Sequence, residues 1–434
     1  ASGFAQIPIY VWDANGNNDF CLVNLRIIDN MGVGEGRIAG QIMTEEGEEV
    51  EGVMTELMSD SPEYPQYNMT NTNGEYAFNE IPMSSDYTVS GSKTDDYLNG
   101  VSTLDLLLIQ RHILGQEQLS SAYKMIAADV NNDKDISAVD MIELRKLILG
   151  VYSELPSNDS WKVVDASENL TTANPWAYSE SLGINDLHSE MAGQDFIGVK
   201  IGDVDGSVRA NFNQNVSEKS SNVLELTYAD GEVKTGEVVE VVMTSGDDAL
   251  FGFQFTMDLN GMELVEVIGN NITEGNVAVF GEKMTMSYNS LDALNKNGEI
   301  FTMVLKATES GQVSDMIGIN SGITKAEAYV GESLEVVDLN MRNADGEAMF
   351  ALYQNQPNPF TEYTVIGYDL PENGEVTISF YDVTGRVLSV IEKDSEKGYN
   401  EVRVNRSDLG ANGMIYYKLE SKEHTATQHM MLIE

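Results

Sequence analysis

Residues 129–140 read DVNNDKDISAVD, and the spacing of their oxygen-bearing side chains decides how the middle of the chain folds. Calcium-binding loops of twelve residues take ligands from positions 1, 3 and 5, from the carbonyl of position 7 and from a carboxylate at position 12. These positions hold Asp129, Asn131, Asp133, Asp135 and Asp140. The spacing therefore predicts a calcium site, with Ser137 at position 9 acting through a water molecule.

The helix that should follow this loop has a copy upstream. STLDLLLIQRHILG (102–115) aligns with SAVDMIELRKLILG (137–150), and apolar residues recur in both at helical spacing before a final glycine cap. The duplicated loop–helix design, with Asp in place of Glu at loop position 12, resembles type I dockerins over residues 94–150. Lys134 departs from the usual glycine at position 6. The resemblance implies a small helical module that calcium stabilises.

The upstream copy lacks a complete loop, because positions 1 and 5 carry no carboxylate. Its partial ligands are Asp96, Gly100, Ser102 and Asp105. Further along, GDVDG supplies Asp203 and Asp205 at the spacing of a loop start, with no helix behind them. Since each fragment is half of a loop, we hypothesise that Asp203 and Asp205 fold back and complete the upstream site. Ions in such sites are structural, because crowded carboxylates repel one another without them.

The composition excludes some partners. The 434 residues include 70 Asp and Glu against 25 Lys and Arg, a formal charge of −45 that repels nucleic acid and anionic lipid. The charge fits an extracellular, calcium-rich setting. No apolar run is long enough to span a membrane. Cys21 is the single cysteine, so either its partner lies upstream or it is a buried free thiol.

The N-terminal third is predicted to be β-structure. Residues 1–33 look like two strands around a polar turn, which we interpret as the end of an upstream Ig-like β domain. Residues 34–92 alternate short apolar runs with turns, and TNTNGEYAFNEIP before YTVS resembles CnaB-like and carboxypeptidase-regulatory-like sandwiches. Residues 93–221 are then expected to form the dockerin-like calcium module with a long irregular tail.

Alternating strands return in residues 222–345, where eight or nine strands are expected. The order TGEVVEVVMTSGDDALFGFQFTMDL resembles cohesin-like domains. The expected fold class is therefore mainly β and multidomain. It consists of serial Ig-like or jelly-roll β-sandwiches with one small α-helical, calcium-binding, dockerin-like module.

Residues 346–434 carry NQPNPF, YDVTGR, GMIYYKL and a terminal MMLIE. The prolines favour an extended entry and the glycine a hairpin turn. The ordered motifs resemble the type A C-terminal sorting domain of type IX secretion substrates. The candidate signal residues are Pro357, Asn358, Pro359, Phe360, Gly385, Arg386, Met430 and Leu432. The resemblance implies a Bacteroidota source, export across the outer membrane, and recognition by the type IX translocon and its outer-membrane shuttle protein. A strand near the chain end is a candidate for β-augmentation.

Catalysis is not expected from this sequence. It contains no nucleophile elbow, no HExxH, no phosphate loop and no paired Cys and His, and a glycosidase would need two carboxylates in a cleft. Three functions remain open. The chain is a non-catalytic stalk and targeting region of a secreted or cell-surface adhesin, of the kind used in gliding or surface capture. Alternatively, it assembles fibres or oligomers through dockerin–cohesin-like contacts, or it is the secretory tail of an upstream polysaccharide hydrolase.

Overall fold

The computed structural model describes residues 3–12, 18–27, 34–211, 222–246, 249–269, 271–294, 298–344, 350–355, 357–371, 373–410, 413–422 and 424–433. It is mainly β, as the sequence predicts. The chain divides into two compact units. Unit 1 contains residues from Ala1–Asp95, Trp161–Lys200 and Arg209–Gln214, and unit 2 contains residues from Asp96–Ser160, Ile201–Val208 and Asn215–Glu434.

The two N-terminal strands of unit 1, β1 (Gly3–Trp12) and β2 (Asn18–Ile27), form an antiparallel pair. This pairing agrees with the two strands predicted for this segment. The intervening turn and the side chains of residues 1–33, including that of Cys21, lie outside the described residues. The assignment to an Ig-like domain therefore stays a prediction.

The rest of unit 1 is a sandwich of two four-stranded sheets, ordered β6-β3-β10-β8 and β5-β4-β7-β9. Its strands are β3 (Glu35–Met43), β4 (Met54–Met58), β5 (Gln66–Met69), β6 (Glu75–Pro82), β7 (Tyr87–Ser92), β8 (Trp161–Asp165), β9 (Ser181–Ile184) and β10 (Phe196–Lys200). The expectation of an irregular tail over 151–221 is wrong for these last three strands. Strand β10 pairs with β3, β8 pairs with β10, and β9 pairs with β7, so the three strands complete both sheets.

The physical reason for this error lies in how β8 is buried. All five of its residues are buried, so the strand shows none of the period-two alternation that marks a half-exposed strand. Trp161 begins β8 and its ring lies beside Gly198 of β10, where the small residue makes room for it. The helical segment 96–160 is therefore inserted, in sequence, between strands of one sandwich.

The helical part of unit 2 contains α1 (Thr103–Ile113), α2 (Ala122–Ala128) and α3 (Ala138–Ile148). The repeat predicts α1 and α3, and both are confirmed. Ser102 and Ser137 cap them, each in a reciprocal capping box with the Asp three residues later. Both copies end at a glycine with positive φ, as the glycine caps predict.

The large β domain of unit 2 is built on one ten-stranded sheet, which is close to the eight or nine strands expected. Nine strands follow the order β15-β18-β13-β11-β22-β21-β14-β17-β16, while β20 pairs with β14, and β12 pairs separately with β19. The elements are β11 (Val223–Tyr228), β12 (Glu232–Val233), β13 (Val238–Thr244), β14 (Leu250–Leu259), β15 (Met262–Ile268), a 3-10 turn (Glu274–Asn276), β16 (Val277–Phe280), β17 (Lys283–Leu294), β18 (Glu299–Ala307), β19 (Gly311–Gln312), α4 (Val313–Met316), β20 (Ile317–Asn320), β21 (Glu327–Val330) and β22 (Glu335–Asn343). One core with three stacked phenylalanines, Phe253, Phe255 and Phe301, fills it.

The last domain has a three-stranded sheet, β23-β24-β27, and a four-stranded sheet, β26-β25-β28-β29. Its elements are β23 (Ala351–Leu352), β24 (Tyr363–Leu370), β25 (Gly374–Asp382), β26 (Val387–Ser395), β27 (Gly398–Asn405), α5 (Arg406–Leu409), β28 (Gly413–Glu420) and β29 (Thr425–Leu432). The predicted hairpin at YDVTGR is confirmed, because β25 and β26 pair around it. Strand β29 is the outermost strand of its sheet, and Phe360 bridges to Leu432 on its outer side, so β-augmentation at this strand stays a prediction.

The sandwich of unit 1 predicts the outcome of a matched pair of substitutions. A Cβ on Gly40 of β3 would lie 1.9 Å from the carbonyl oxygen of Gln194, whereas a Cβ on Gly183 of β9 meets nothing within 4 Å. Gly40→Ala should destabilise unit 1 by about 2 kcal/mol or more, as overpacking does. Gly183→Ala should change it by less than about 0.5 kcal/mol.

Urea unfolding followed by tryptophan fluorescence measures this, because Trp12, Trp161 and Trp176 all belong to unit 1. Equal midpoints for the two variants would show that residues 191–194 do not pack on β3.

Candidate metal centres and helix docking face

The loop 129–140 is closed by its own backbone amides. Asp129 Oδ1 accepts from Asp133 N at 2.9 Å and its Oδ2 from Lys134 N at 2.9 Å. Asp140 Oδ1 accepts from Asn131 N at 3.1 Å. Lys134 adopts a positive φ of 65°, the conformation for which position 6 usually has glycine. The two buried carboxylates at positions 1 and 12 thus hold the loop in a calcium-loop shape.

The carboxylates of this loop differ in burial, and they do not all converge on one point. Asp129 and Asp140 are buried, whereas Asp133 and Asp135 are exposed. Asn131 donates its amide to Asp133 Oδ2 at 2.8 Å. The loop therefore has its backbone in place, and its exposed ligands would need to turn inward around an ion.

The second centre joins two distant segments. Oxygens of Asp105, Asp203 and Asp205 lie within 4.8 Å of one another, and among the described residues this is the one group of three or more acidic, His or Cys side chains so close. The amide of Val204 donates to Asp105 Oδ1 at 2.8 Å and that of Asp205 at 3.3 Å. The hypothesised return of Asp203 and Asp205 to Asp105 agrees with this geometry.

The returning segment repeats the hydrogen bonds of the loop 129–134. Ser207 N and Val208 N donate to Asp203 Oδ1 and Oδ2, at 3.1 and 2.9 Å, as residues four and five after Asp129 donate to it. Ser207 N also donates to Asp205 Oδ1, as Asp133 N does to the Oδ1 of Asn131. Residues 203–208 therefore stand as loop positions 1–6, and Asp105 stands as position 12.

Of the other ligands predicted for the second centre, Gly100 and Ser102 lie beside it and Asp96 does not. The carbonyl oxygen of Gly100 accepts from Ser207 Oγ at 3.1 Å, so it lies beside the returning segment. Ser102 caps α1 and donates its amide to Asp105 Oδ2 at 2.8 Å. Asp96 is exposed and lies outside the group of three carboxylates, so its role as a ligand stays a prediction, and Asp205 stands at loop position 3. Ser207, at loop position 5, is a further candidate ligand that only the structure reveals.

We call the second centre the split centre, because Asp105 and residues 203–208 are far apart in sequence. Burial makes ionised carboxylates unfavourable there unless a cation binds. Burial, followed by the hydrogen bond and charge of Asp205, raises the pKa of Asp203 to about 8. Burial, followed by the charges of Asp205 and Asp203, also raises the pKa of Asp105 well above its usual value. Such a site needs either protons or a cation. Its donors are all oxygens, which fits calcium better than a softer metal.

The predicted sorting-signal residues fall into two groups, one at the terminal strand. Phe360 is buried in the domain core and forms a parallel bridge to Leu432, with Phe360 N donating to Met431 O at 3.0 Å. Asn358 Oδ1 accepts from Met431 N at 2.8 Å. The NQPNPF segment thus closes part of the outer edge of β29, and the core residue Met430 anchors the strand from inside.

The other signal residues build turns. Pro357 O accepts from the side chains of Asn355 and Thr364, and Pro359 links Asn358 to the buried Phe360. Gly385 has a positive φ of 84° in the turn after β25. The exposed Arg386 donates Nε to Asp382 Oδ2 at 3.0 Å.

The helix pair docks on the large β domain within unit 2. Leu104 and Leu107 of α1 form a buried apolar cluster with Phe251 of β14, Tyr329 of β21 and Leu334. Tyr329 is also hydrogen-bonded to Ser102 and to Glu327. This docking face extends over β14 and β17, the strands nearest α1.

Polar side chains of the β domain cap the ends of the two helices. At the start of α1, Thr103 N donates to Gln254 Oε1 at 2.6 Å, and its hydroxyl pairs with that of Ser287 at 2.7 Å. At the end of α3, Thr324 and Thr285 donate to the carbonyls of Ile148 and Leu149 at 2.6 and 2.7 Å. These are groups that a helix cannot satisfy internally.

The side-chain amide of one residue, Asn289, is hydrogen-bonded to both copies of the repeat. Asn289 of β17 donates to Gln110 Oε1 at 2.7 Å and accepts from the guanidinium of Arg145. Gln110 and Arg145 occupy equivalent places in the two repeat copies. No motif in the sequence marks this face, and the one signal for it is the alternation of polar with large apolar residues along β14 and β17.

Comparisons with known proteins match two segments. Residues 99–149 match the dockerin type I domain, and residues 355–434 match the secretion system C-terminal sorting domain. The comparison with curated proteins found no match. The two resemblances drawn from the sequence motifs are thereby confirmed.

Solved structures give more distant similarities. A cohesin–dockerin complex from Clostridium thermocellum is 16% identical, with 28% of this chain and 99% of that chain covered and a TM-score of 0.20. A type I cohesin from Pseudobacteroides cellulosolvens is 10% identical, with coverages of 28% and 87% and a TM-score of 0.21. The major pilin subunit BcpA of Bacillus cereus is 7% identical, with coverages of 92% and 96% and a TM-score of 0.20.

The matched sorting domain identifies an exported protein, carried across the outer membrane to the cell surface or the medium. The matched domains are of non-catalytic types. In the part of the chain that the structure describes, no helix is both long and apolar enough to cross a bilayer. The dockerin match indicates a protein–protein contact of the dockerin–cohesin type.

The split centre predicts an unusual pH dependence. Without metal, folded Asp203 holds its proton up to about pH 8, whereas an unfolded Asp releases it near 3.8. Its stabilising effect is therefore complete below about pH 3.8 and is lost as the pH rises through about 8. Calcium should remove this loss, because it replaces the proton.

Thermal unfolding followed by helical circular dichroism, in metal-free buffer and in calcium between pH 4.5 and 8.5, measures this effect. The Asp203→Asn control should show a flatter metal-free profile. A wild-type profile that calcium leaves unchanged would contradict the expectation.

Proposed function

We propose that this chain is the non-catalytic stalk and targeting region of a large adhesin-type surface protein, which calcium stabilises. One observation carries the proposal: a secretion sorting domain follows sandwich domains and a helical module whose loops offer only oxygen ligands. Several β-domains and a strongly acidic composition, with a formal charge of −45, suit a protein that works outside the cell in the presence of calcium. Adhesion or gliding is the role that we assign to such a stalk.

In this proposal the domain boundaries follow the sequence with one change. Residues 1–33 end an upstream Ig-like domain, 222–345 form a cohesin-like sandwich and 346–434 form the sorting domain. The strands at 161–200 are grouped with the CnaB-like sandwich begun by residues 34–92, because they pair with its strands. The calcium module is then the helical segment with residues 201–208.

Calcium has a structural role in the proposal. One ion would bind in the loop 129–140, and a second between Asp105 and the returning segment 203–208. The buried carboxylates Asp105, Asp129 and Asp140 cap helices or close loops, so removing the ion leaves like charges close together inside folded structure. An ion bound at a hundredfold excess over its Kd adds about 2.7 kcal/mol to stability.

Calcium titration calorimetry should therefore give two ions per chain, and EDTA should lower the melting temperature of the helical signal by about 10 °C or more. Asp140→Asn and Asp105→Asn should each abolish one site. Asp135→Asn is the matched control, because position 7 binds through its backbone carbonyl. A melting curve insensitive to EDTA would rule out the structural role of calcium.

Export is tested separately, in a bacterium with type IX secretion. The chain without residues 346–434 should accumulate inside the outer membrane, because the translocon has no signal to recognise. The Asp140→Asn chain, with the sorting domain intact, should still reach the surface or the medium. Immunoblots of the periplasmic, surface and medium fractions distinguish these outcomes, and export of the truncated chain would contradict the assigned role.

A second candidate function is assembly through dockerin–cohesin-like contacts. The observation that favours it is the docking of α1 and α3 on the 222–344 β domain, with hydrogen bonds at both helix ends. The sequence leaves open whether such a contact links different chains into fibres or joins parts of one chain.

A further inference from the structure

The docking face of the β domain is polar in sequence yet buried. Along β14 and β17, residues alternate between the aromatic core and the side on which the helices lie. The polar residues on the helix side are Gln254, Thr256, Thr285 and Ser287, and each is at most 2% exposed. Alternation of apolar and polar residues is typical of a sheet with one face in water. Here α1 and α3 cover that face.

The sequence repeat provides an internal control for this covering. Leu104 and Leu107 of α1 are 7% and 0% exposed. Their equivalents in α3, Val139 and Ile142, are 50% and 53% exposed. The two helices have the same design, so the difference arises from the β domain, which covers the start of α1 and leaves the start of α3 open.

The contacts at the face are complementary group by group. The sheet side offers an acceptor, Gln254 Oε1, to a first-turn N–H, and two hydroxyl donors to last-turn carbonyls. A β domain without these groups would leave buried N–H and carbonyl groups at the helix ends without hydrogen-bond partners, which destabilises the contact. The arrangement of donors and acceptors on the sheet is thus specific for this helix pair. Asn289 adds to the specificity because it is hydrogen-bonded to Gln110 in one repeat copy and to Arg145 in the other.

We infer that the helix pair and the 222–344 β domain of one chain are each other's partners, and that the docking is intramolecular in solution. This inference rests on the proposed dockerin-like nature of the module. Only residues 209–221 connect Val208 of the module to the β domain, a reach of at most about 50 Å. Two partners joined within this reach meet at a higher effective concentration than a second chain at micromolar concentration provides.

The chain is therefore closed on itself at this face. Neither a cohesin from another protein nor a second copy of this chain binds there while the helices are docked. The apolar cluster around Tyr329 and the polar caps together hold the helical module on the β domain of the same chain.

A disulfide trap tests the inference on the full chain. In a Cys21→Ser background, Thr103→Cys with Ser287→Cys places two sulfurs where hydroxyl oxygens lie 2.7 Å apart. After oxidation at 1 and at 100 μM protein, we expect one cross-linked chain with no free thiol, at both concentrations. Covalent dimers would overturn the inference, and so would two free thiols in a folded protein. The Thr103→Cys single variant controls for random oxidation.

Hydrogen exchange on the unmodified chain keeps the inference testable if the trap fails to fold. The amide of Thr103 should be protected, because it donates to Gln254, and dilution from 100 to 1 μM should not change its exchange. Protection lost on dilution, or absent at both concentrations, would contradict intramolecular docking. This readout does not depend on secretion, and measuring it with calcium present separates it from the metal proposal.

Two glycines with equivalent places in the repeat give a matched pair of variants. Gly115 and Gly150 both have positive φ, but only a Cβ on Gly150 would meet the β domain, 2.6 Å from Ile323 Cγ2. Gly150→Ala should therefore speed exchange at Thr103 at least tenfold relative to Gly115→Ala. Equal exchange in the two variants would contradict the docking of α3 on this domain.

Discussion

The buried carboxylate of Asp105 is the group on which the arrangement of unit 2 depends. One of its oxygens caps α1 through Ser102 N, and the other accepts the amides of Val204 and Asp205. The cap fixes the first turn of α1, and that turn carries Thr103 and Leu104 onto the β domain. Because an unpaired charge is costly inside a protein, each of these contacts reinforces the others.

The docked helices explain why so much polar surface is buried without penalty. Hydroxyl and amide side chains of the β domain meet backbone groups that helix ends leave free, so burial converts two sets of hydrated groups into one set of hydrogen bonds. The apolar cluster with Tyr329 supplies the hydrophobic part of the contact. The matched sorting domain places this contact on an exported protein, and the domains that match are of non-catalytic types.

Sequence patterns predicted the parts of the structure that local physics determines. Both repeat helices follow from apolar spacing with serine and glycine caps, and the hairpin at Gly385 follows from its turn residues. The approach of Asp203 to Asp105 could be predicted, because half of a calcium-loop motif is recognisable in the sequence by itself. By contrast, β8 was missed because a strand buried on both faces has no alternation. The docking face was missed because Thr285 and Ser287 look like residues exposed to solvent, and only tertiary contact reveals their partners.

The split between residues 100–105 and 203–208 has a consequence for the unfolded chain. A cation held by both segments would tie together positions that are far apart in sequence, with residues 106–202 as the enclosed loop. A permanent cross-link that closes a loop of that length lowers the entropy of the unfolded state. This stabilises the folded state by on the order of 4 kcal/mol. The enclosed loop includes three strands of the other unit, β8 to β10, so one ion bound there would oppose the unfolding of both units.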